Sequence, residues 1–218
     1  MAINIFLAGE EHHKHEYRLA GINLIKQLAA EKAITTLSLE LEFDRYQHIL
    51  DSFSFSHPSR ELVDYASHVY VAKKNHLDVI ASDYRDSLAG HLIQELRKLD
   101  DAMNIQDSDK EKILISYLQP LSFDNSSPIK AGDKIYDEFY NKFSSKYASA
   151  QDLFDFLNIT YYEERERFTI NLLSSYLKRK PDSRILHICG LDHVAGLKDK
   201  FINEGLGVDV LDLITSHK

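Results

Sequence analysis

Hydrophobic positions fall into two rhythms along this chain. "INIFLA" (Ile3 to Ala8) is a short apolar run ended by Gly9, the pattern of a buried strand. Beyond it, Leu19, Ile22, Ile25 and Leu28 recur at helical spacing and predict an amphipathic helix covering a sheet. "ITTLSLEL" (Ile34 to Leu41) carries β-branched residues and predicts a second strand. The opening is therefore βαβ, with parallel pairing. Helical spacing resumes through "SRELVDYASHVYVAKKN", where Ser59 is placed to cap and Glu61 and Asp64 sit at the favourable end of the dipole. "LDVIASD" (Leu77 to Asp83) predicts a third strand. "SLAGHLIQELRKLDDAM" predicts the next helix, in which Gly90 costs about 1 kcal/mol against alanine.

From about residue 101 to 160 the rhythm changes. Turn residues separate aromatic-rich helical pieces, and Pro120, Pro128 and the Asn-Ser-Ser run mark a loop. This stretch reads as a helical insertion or lid over one face of the sheet, its aromatics mainly packing. "YYEERERFTINLLSSYLKRK" is a further helix with Phe168, Ile170, Leu172, Leu173 and Leu177 as apolar positions, ended by Pro181. "RILHIC", "VAGLKDKFINEG" and "GVDVLDL" then read as strand, helix and strand. The predicted class is α/β: one domain over 1–218, a largely parallel sheet covered by helices, built from two halves alike in pattern.

Composition narrows the possible partners. With 218 residues, 44% of them hydrophobic, the chain can bury a core of its own. The net charge of −8 and the absence of any Lys/Arg cluster argue against nucleic acid. No run approaches the roughly 20 apolar residues of a membrane span, and no secretion signal is visible, so the cytoplasm is the expected location. The one cysteine, Cys189, excludes an internal disulfide and reads as a buried thiol.

Candidate chemistry gathers at strand ends. Two apolar runs lead into Gly-x-x-His, at Gly9-Glu10-Glu11-His12 and Gly190-Leu191-Asp192-His193. Each glycine is expected to let the chain turn sharply off its strand. Ligands of open α/β sheets collect at the carboxyl ends of the strands, and imidazole serves there as base or metal ligand. Alternation in "TLSLELEFDRY" sets Leu37, Leu39 and Leu41 on one side and Ser38, Glu40 and Glu42 on the other. A carboxylate near the end of a covered strand needs a cation, a metal or strong donors, and Asp83 ends its own strand in the same way. Two histidines and two carboxylates make a candidate metal site. Of the remaining nine of the 11 histidines, eight, His68 among them, read as exposed or hydrogen-bonded, and His187 as a satisfied core residue.

Taken together these residues resemble the broad superfamily that includes TraB/PrgY proteins, the Tiki metalloproteases, ChaN and the erythromycin esterases. "GEEH", the strand-end glutamate with its Arg-aromatic in "ELEFDRY", "EERERFTINLL" with Arg165 at the family arginine, and "CGLDHVAGL" follow in the family's order. "DVIASDYRDSL" places Asp83 at the family's strand-end aspartate, with Tyr84 in place of the usual arginine. The resemblance spans about residue 3 to 213. It implies a pocket built from both Gly-x-x-His motifs, the glutamate and the arginine. "GEEH" is closer to the esterase and ChaN branches, whereas "ELEFDRY" and the Arg165 helix are closer to TraB and Tiki.

The expectation that follows is a metal-dependent hydrolase of peptidase or esterase type. His12, His193 and Glu40, with Asp83 as a further ligand or orienting group, would hold a divalent cation of Mn, Co or Zn type that activates water. Glu10 is the candidate base or, alternatively, a cap for the next helix. Arg165 is a candidate clamp for a substrate carboxylate or oxyanion, or else the structural partner of Glu40. The alternatives are a haem- or metal-binding module and an inactive interaction protein. The expected partner is a peptide, an ester or another small molecule.

Overall fold

A computed structural model describes residues 2–11, 14–55, 62, 65–84 and 150–213, with the helical backbone alone for 150–160. The chain divides into two compact units, Met1–Tyr84 with Arg165–Lys218, and Arg85–Glu164. Five strands are described: β1 (Ile3–Glu10), β2 (Thr36–Glu42), β3 (Asp78–Asp83), β4 (Ile185–Gly190) and β5 (Gly207–Leu211). Between them run α1 (His15–Ala30), α2 (Phe43–Asp51), α3 (Ala66–Lys74), α4 (Ala150–Arg179) and α5 (Leu191–Asn203). The strands form one parallel sheet in the order β3-β2-β4-β1-β5. This is the predicted α/β class. The helix expected over residues 87–103 lies outside the described residues, as does the insertion at 101–160 apart from the backbone of 150–160.

Parallel strands need crossovers, and these run in opposite directions. The chain leaves β1 across β4 to reach β2, and leaves β4 across β1 to reach β5. With crossovers of one hand, opposite travel puts the helices on opposite faces. The core follows this division. Ala8, Leu37, Leu39, Leu186 and Ile188 pack with α1, α2 and α3. Ile5, Leu7, Ile80, Ile185 and Cys189 pack with Ile170, Leu173 and Leu177 of α4 and Leu197 and Phe201 of α5. Cys189 is a buried thiol, as expected, and burial pushes its pKa well above the ordinary value.

Two local expectations change. Leu19 is 48% exposed; α1 buries Ile25 and Leu28 as expected but joins them with Ala20, Gly21 and Leu24, which rotates the stripe. Gly9 does not turn the chain: β1 runs through it to Glu10, and neither Gly9 nor Gly190 has a positive φ. A Cβ at Gly9 would lie 2.7 Å from both Leu191 and Val194. The glycine there lets the first turn of α5 press against the strand.

The chain departs from β2 toward β3 and from β4 toward β5, so a crevice opens between the ends of β2 and β4. Their pairing stops at Leu39↔Ile188. Beside it, the β2–β3 ladder steps from Leu39↔Ala81 to Glu42↔Asp83, three residues against two. That extra residue is a bulge, which kinks the strand where Glu40 leaves it.

Candidate functional site

Glu40, Asp83, Arg165 and His193, brought from β2, β3, α4 and α5, line one small, half-open pocket about the size of a single water, together with Glu166, Thr169, His187, Cys189 and Leu197. Arg165 stands between the two acids. Its Nε donates to Asp83 Oδ1 at 2.7 Å, and its Nη2 donates to Asp83 Oδ2 at 2.9 Å and also to Glu40 Oε1. The other oxygen of Glu40 accepts the N–H of Gly190 at 2.6 Å, across the gap left where β2 and β4 part. The N–H of Tyr84 donates to Asp83 at 2.9 Å. All three charged side chains are buried, so the planar fork meets the demand that burial places on both carboxylates. The structure thus contains the Glu40–Arg165 ion pair, with Asp83 as its third member.

His193 begins the second layer. It sits in the first turn of α5, buried, with Nδ1 3.2 Å from Glu166 Oε1 and Nε2 3.7 Å from Glu40 Oε1. Lys200, two turns along α5, donates to the second oxygen of Glu166 at 2.5 Å. Burial pushes the Glu166 carboxyl up, but the hydrogen bonds from His193 and Lys200 outweigh it and hold the group below its ordinary value. An ionised carboxylate only accepts, so Nδ1 of His193 carries a hydrogen. Close packing supports the arrangement, since a Cβ at Gly196 would come 2.5 Å from Glu166.

Glu10 takes a different position. Along β1, Phe6 and Ala8 join the α1/α3 core and Ile5 and Leu7 the α4/α5 core, so alternation turns Glu10 toward α1 and α3. There it is hydrogen-bonded to Tyr65, whose hydroxyl pKa is pushed well above the ordinary value by burial first and by Glu10 and Glu40 after it. His68 packs edge-on to Tyr65 with ring centroids 5.6 Å apart. It is buried and makes no hydrogen bond at either ring nitrogen among the described residues, so the expectation of an exposed or hydrogen-bonded His68 is corrected. His12 lies outside the described residues.

The expected metal set can be tested on the ligands that are described. The oxygens of Glu40 and Asp83 are engaged by Arg165 and by backbone N–H groups, and the guanidinium stands where a cation shared by these acids would sit. Among the described residues no group of three or more His, Cys, Asp or Glu is arranged to hold a metal ion. These two carboxylates fit an arginine rather than a divalent cation.

Glu166 was not singled out from the sequence, yet a signal was present. Arg165, Glu166, Thr169, Ile170, Leu173 and Leu177 form one buried stripe of α4, so two charged residues continue an apolar face. Arg167, by contrast, is exposed.

No protein-family model and no curated protein matches the chain. Among solved structures it is similar to one described as cofacial heme binding to ChaN of Campylobacter jejuni. The match covers 96% of this chain and 81% of that chain, with a TM-score of 0.48 and 12% sequence identity. Among the described residues no helix is long and apolar enough to cross a membrane.

Proposed function

We propose that the chain is a hydrolase acting on a carbonyl of ester, lactone or amide type, with His193 as the base. The observation that supports this reading is the anchoring of His193 Nδ1 by a clamped carboxylate, with the ring lining a cavity beside Arg165. Nε2 takes a proton from water as the water oxygen bonds to the carbonyl carbon. Glu166 accepts the Nδ1–H throughout and stabilises the imidazolium that forms. The tetrahedral oxyanion develops beside the new imidazolium, whose positive charge offsets the one-charge excess of carboxylates around the cavity. On collapse the proton passes from Nε2 to the leaving oxygen or nitrogen. Arg165 holds Glu40 and Asp83 in place in this scheme, because the two acids engage its fork.

A second reading, a haem- or metal-binding module, is favoured by the same feature: an imidazole oriented by a carboxylate presents Nε2 as metal sites require. One experiment separates the two. The purified full chain is analysed for bound metal and scanned for a Soret band, then assayed on p-nitrophenyl acetate, a lactone and a quenched peptide, with and without EDTA. The hydrolase reading expects turnover that survives EDTA and falls by about 10²-fold or more in His193→Asn. Equal turnover in His193→Asn overturns it. A Soret band, or a stoichiometric metal, that His193→Asn abolishes establishes the binding module.

A further inference from the structure

His187, in the middle of β4, lines the same cavity and is buried. Its side-chain hydrogen bonds among the described residues fall on Nδ1: Ser38 Oγ lies at 3.0 Å and Ser82 Oγ, more distantly, at 3.5 Å. The direction of these bonds is fixed from the far end. The Ser82 hydroxyl donates to the carbonyl of Leu39 at 3.0 Å, and a carbonyl only accepts. Ser82 Oγ therefore accepts from Ser38, at 2.7 Å. With its single hydrogen spent, Ser38 Oγ accepts from His187, so Nδ1 is protonated and Nε2 is not. Thr169 holds the relay in place by donating to the backbone carbonyl of Ser82 at 2.5 Å.

We propose that His187 is a binding residue of this cavity, its Nε2 lone pair a fixed acceptor for an O–H or N–H donor on the bound molecule. Among the described residues no hydrogen bond falls on that nitrogen. Burial lowers the pKa of His187 to about 4, against the opposing pull of Glu40 and Asp83, so near neutrality the ring accepts and does not act as an acid. The surrounding charges point to the same class of ligand. Glu40, Asp83 and Glu166 outnumber Arg165 and Lys200 by one, which disfavours an anion. The ligand expected at this depth is a neutral hydroxyl or primary amide, such as the alcohol or amide end of a substrate.

The inference rests on the hydrolase reading only in taking this cavity as the place where substrate is held, and its test needs no turnover. Imidazole nitrogen spectra of the uniformly ¹⁵N-labelled full chain, assigned through the backbone, report the tautomer directly. His187 is expected as the Nδ1–H form, and Ser38→Ala is expected to mix the two tautomers. Acetamide should move the Nε2 resonance, whereas acetate at equal concentration should leave it in place. An Nε2–H tautomer in the unaltered protein overturns the proposal without recourse to any variant. So does an Nε2 that responds to acetate as it does to acetamide. Loss of hydrolysis with these spectra intact would count against the function proposed above and leave His187's role standing.

Discussion

On the α4/α5 face of the sheet, three buried carboxylates are matched by Arg165, Lys200 and the Nδ1–H of His193, and a cavity remains among them. On the α1/α3 face, Glu10 pairs with Tyr65, while His68 is buried with neither nitrogen hydrogen-bonded among the described residues. The packing differs as well. A Cβ at Gly21 would come 2.8 Å from His68 Nε2, so this ring is pressed against helix α1. Polar atoms on the first face are organised around a small open pocket. On the second they are enclosed by packing, at a cost to stability. The same residue type, histidine, therefore points to chemistry on one face and to strain on the other.

The strongest way to break this contrast is to remove its central cation. Arg165→Met leaves Glu40 and Asp83 buried together without their shared partner, and urea unfolding should show a loss of about 3–5 kcal/mol. A loss below about 1 kcal/mol would mean that the trio behaves like a solvated surface pair.

Acid should act on both faces. Burial lowers His68 and His187 from 6.5 to about 4 in the folded protein. Between these values the unfolded chain binds protons on the two rings and the folded chain does not. Their contribution is thus fully present above pH 6.5 and is lost as the pH falls toward 4, by about 3 kcal/mol for each ring. Unfolding curves across that window measure the slope. His68→Leu should flatten it by one ring's share, and an unchanged slope would show that His68 is already protonated in the folded state.

Gly21→Ala probes the tight face. Its methyl meets His68, and the expected cost is about 1–3 kcal/mol. In a His68→Ala background that cost should shrink, and additivity in the double-mutant cycle would mean that the two sites do not touch. The smallest effect belongs to His68→Leu itself above pH 6.5. It removes two unsatisfied nitrogens at similar volume, so stability should change by no more than about 1 kcal/mol, in the favourable direction.

Much of this was legible in the residues. Strand–helix alternation at both ends is read from period alone, and the alternation Leu37/Ser38/Leu39/Glu40 assigned the faces of β2 correctly. Strand-end position selected Glu40, Asp83 and His193, and the family resemblance added Arg165. Other parts were hidden for physical reasons. Helix α2 starts at Phe43, directly after β2, with no turn residue to announce it. Glu166 sits among Glu163, Glu164, Arg165 and Arg167, so its charge conceals its place in the buried stripe. His187 reads as core because its burial is evident from "RILHIC", whereas the polarity of its hydrogen bonds depends on which hydroxyls the neighbouring strands bring beside it. Glu10 was placed with the site by its motif, and the parity of β1 turns it to the other face.

The one-residue surplus in β2 has a consequence for anyone redesigning this chain. In an unbroken ladder Glu40 would stand beside Ser82 and Leu41 beside Asp83, and the two acids would project from opposite sides of the sheet. Deleting Leu41 to perfect the pairing should tighten the edge and scatter the very groups that Arg165 gathers. Stabilisation of the sheet should therefore be sought away from residues 40–42, because here regularity and reactivity make opposing demands on the same backbone.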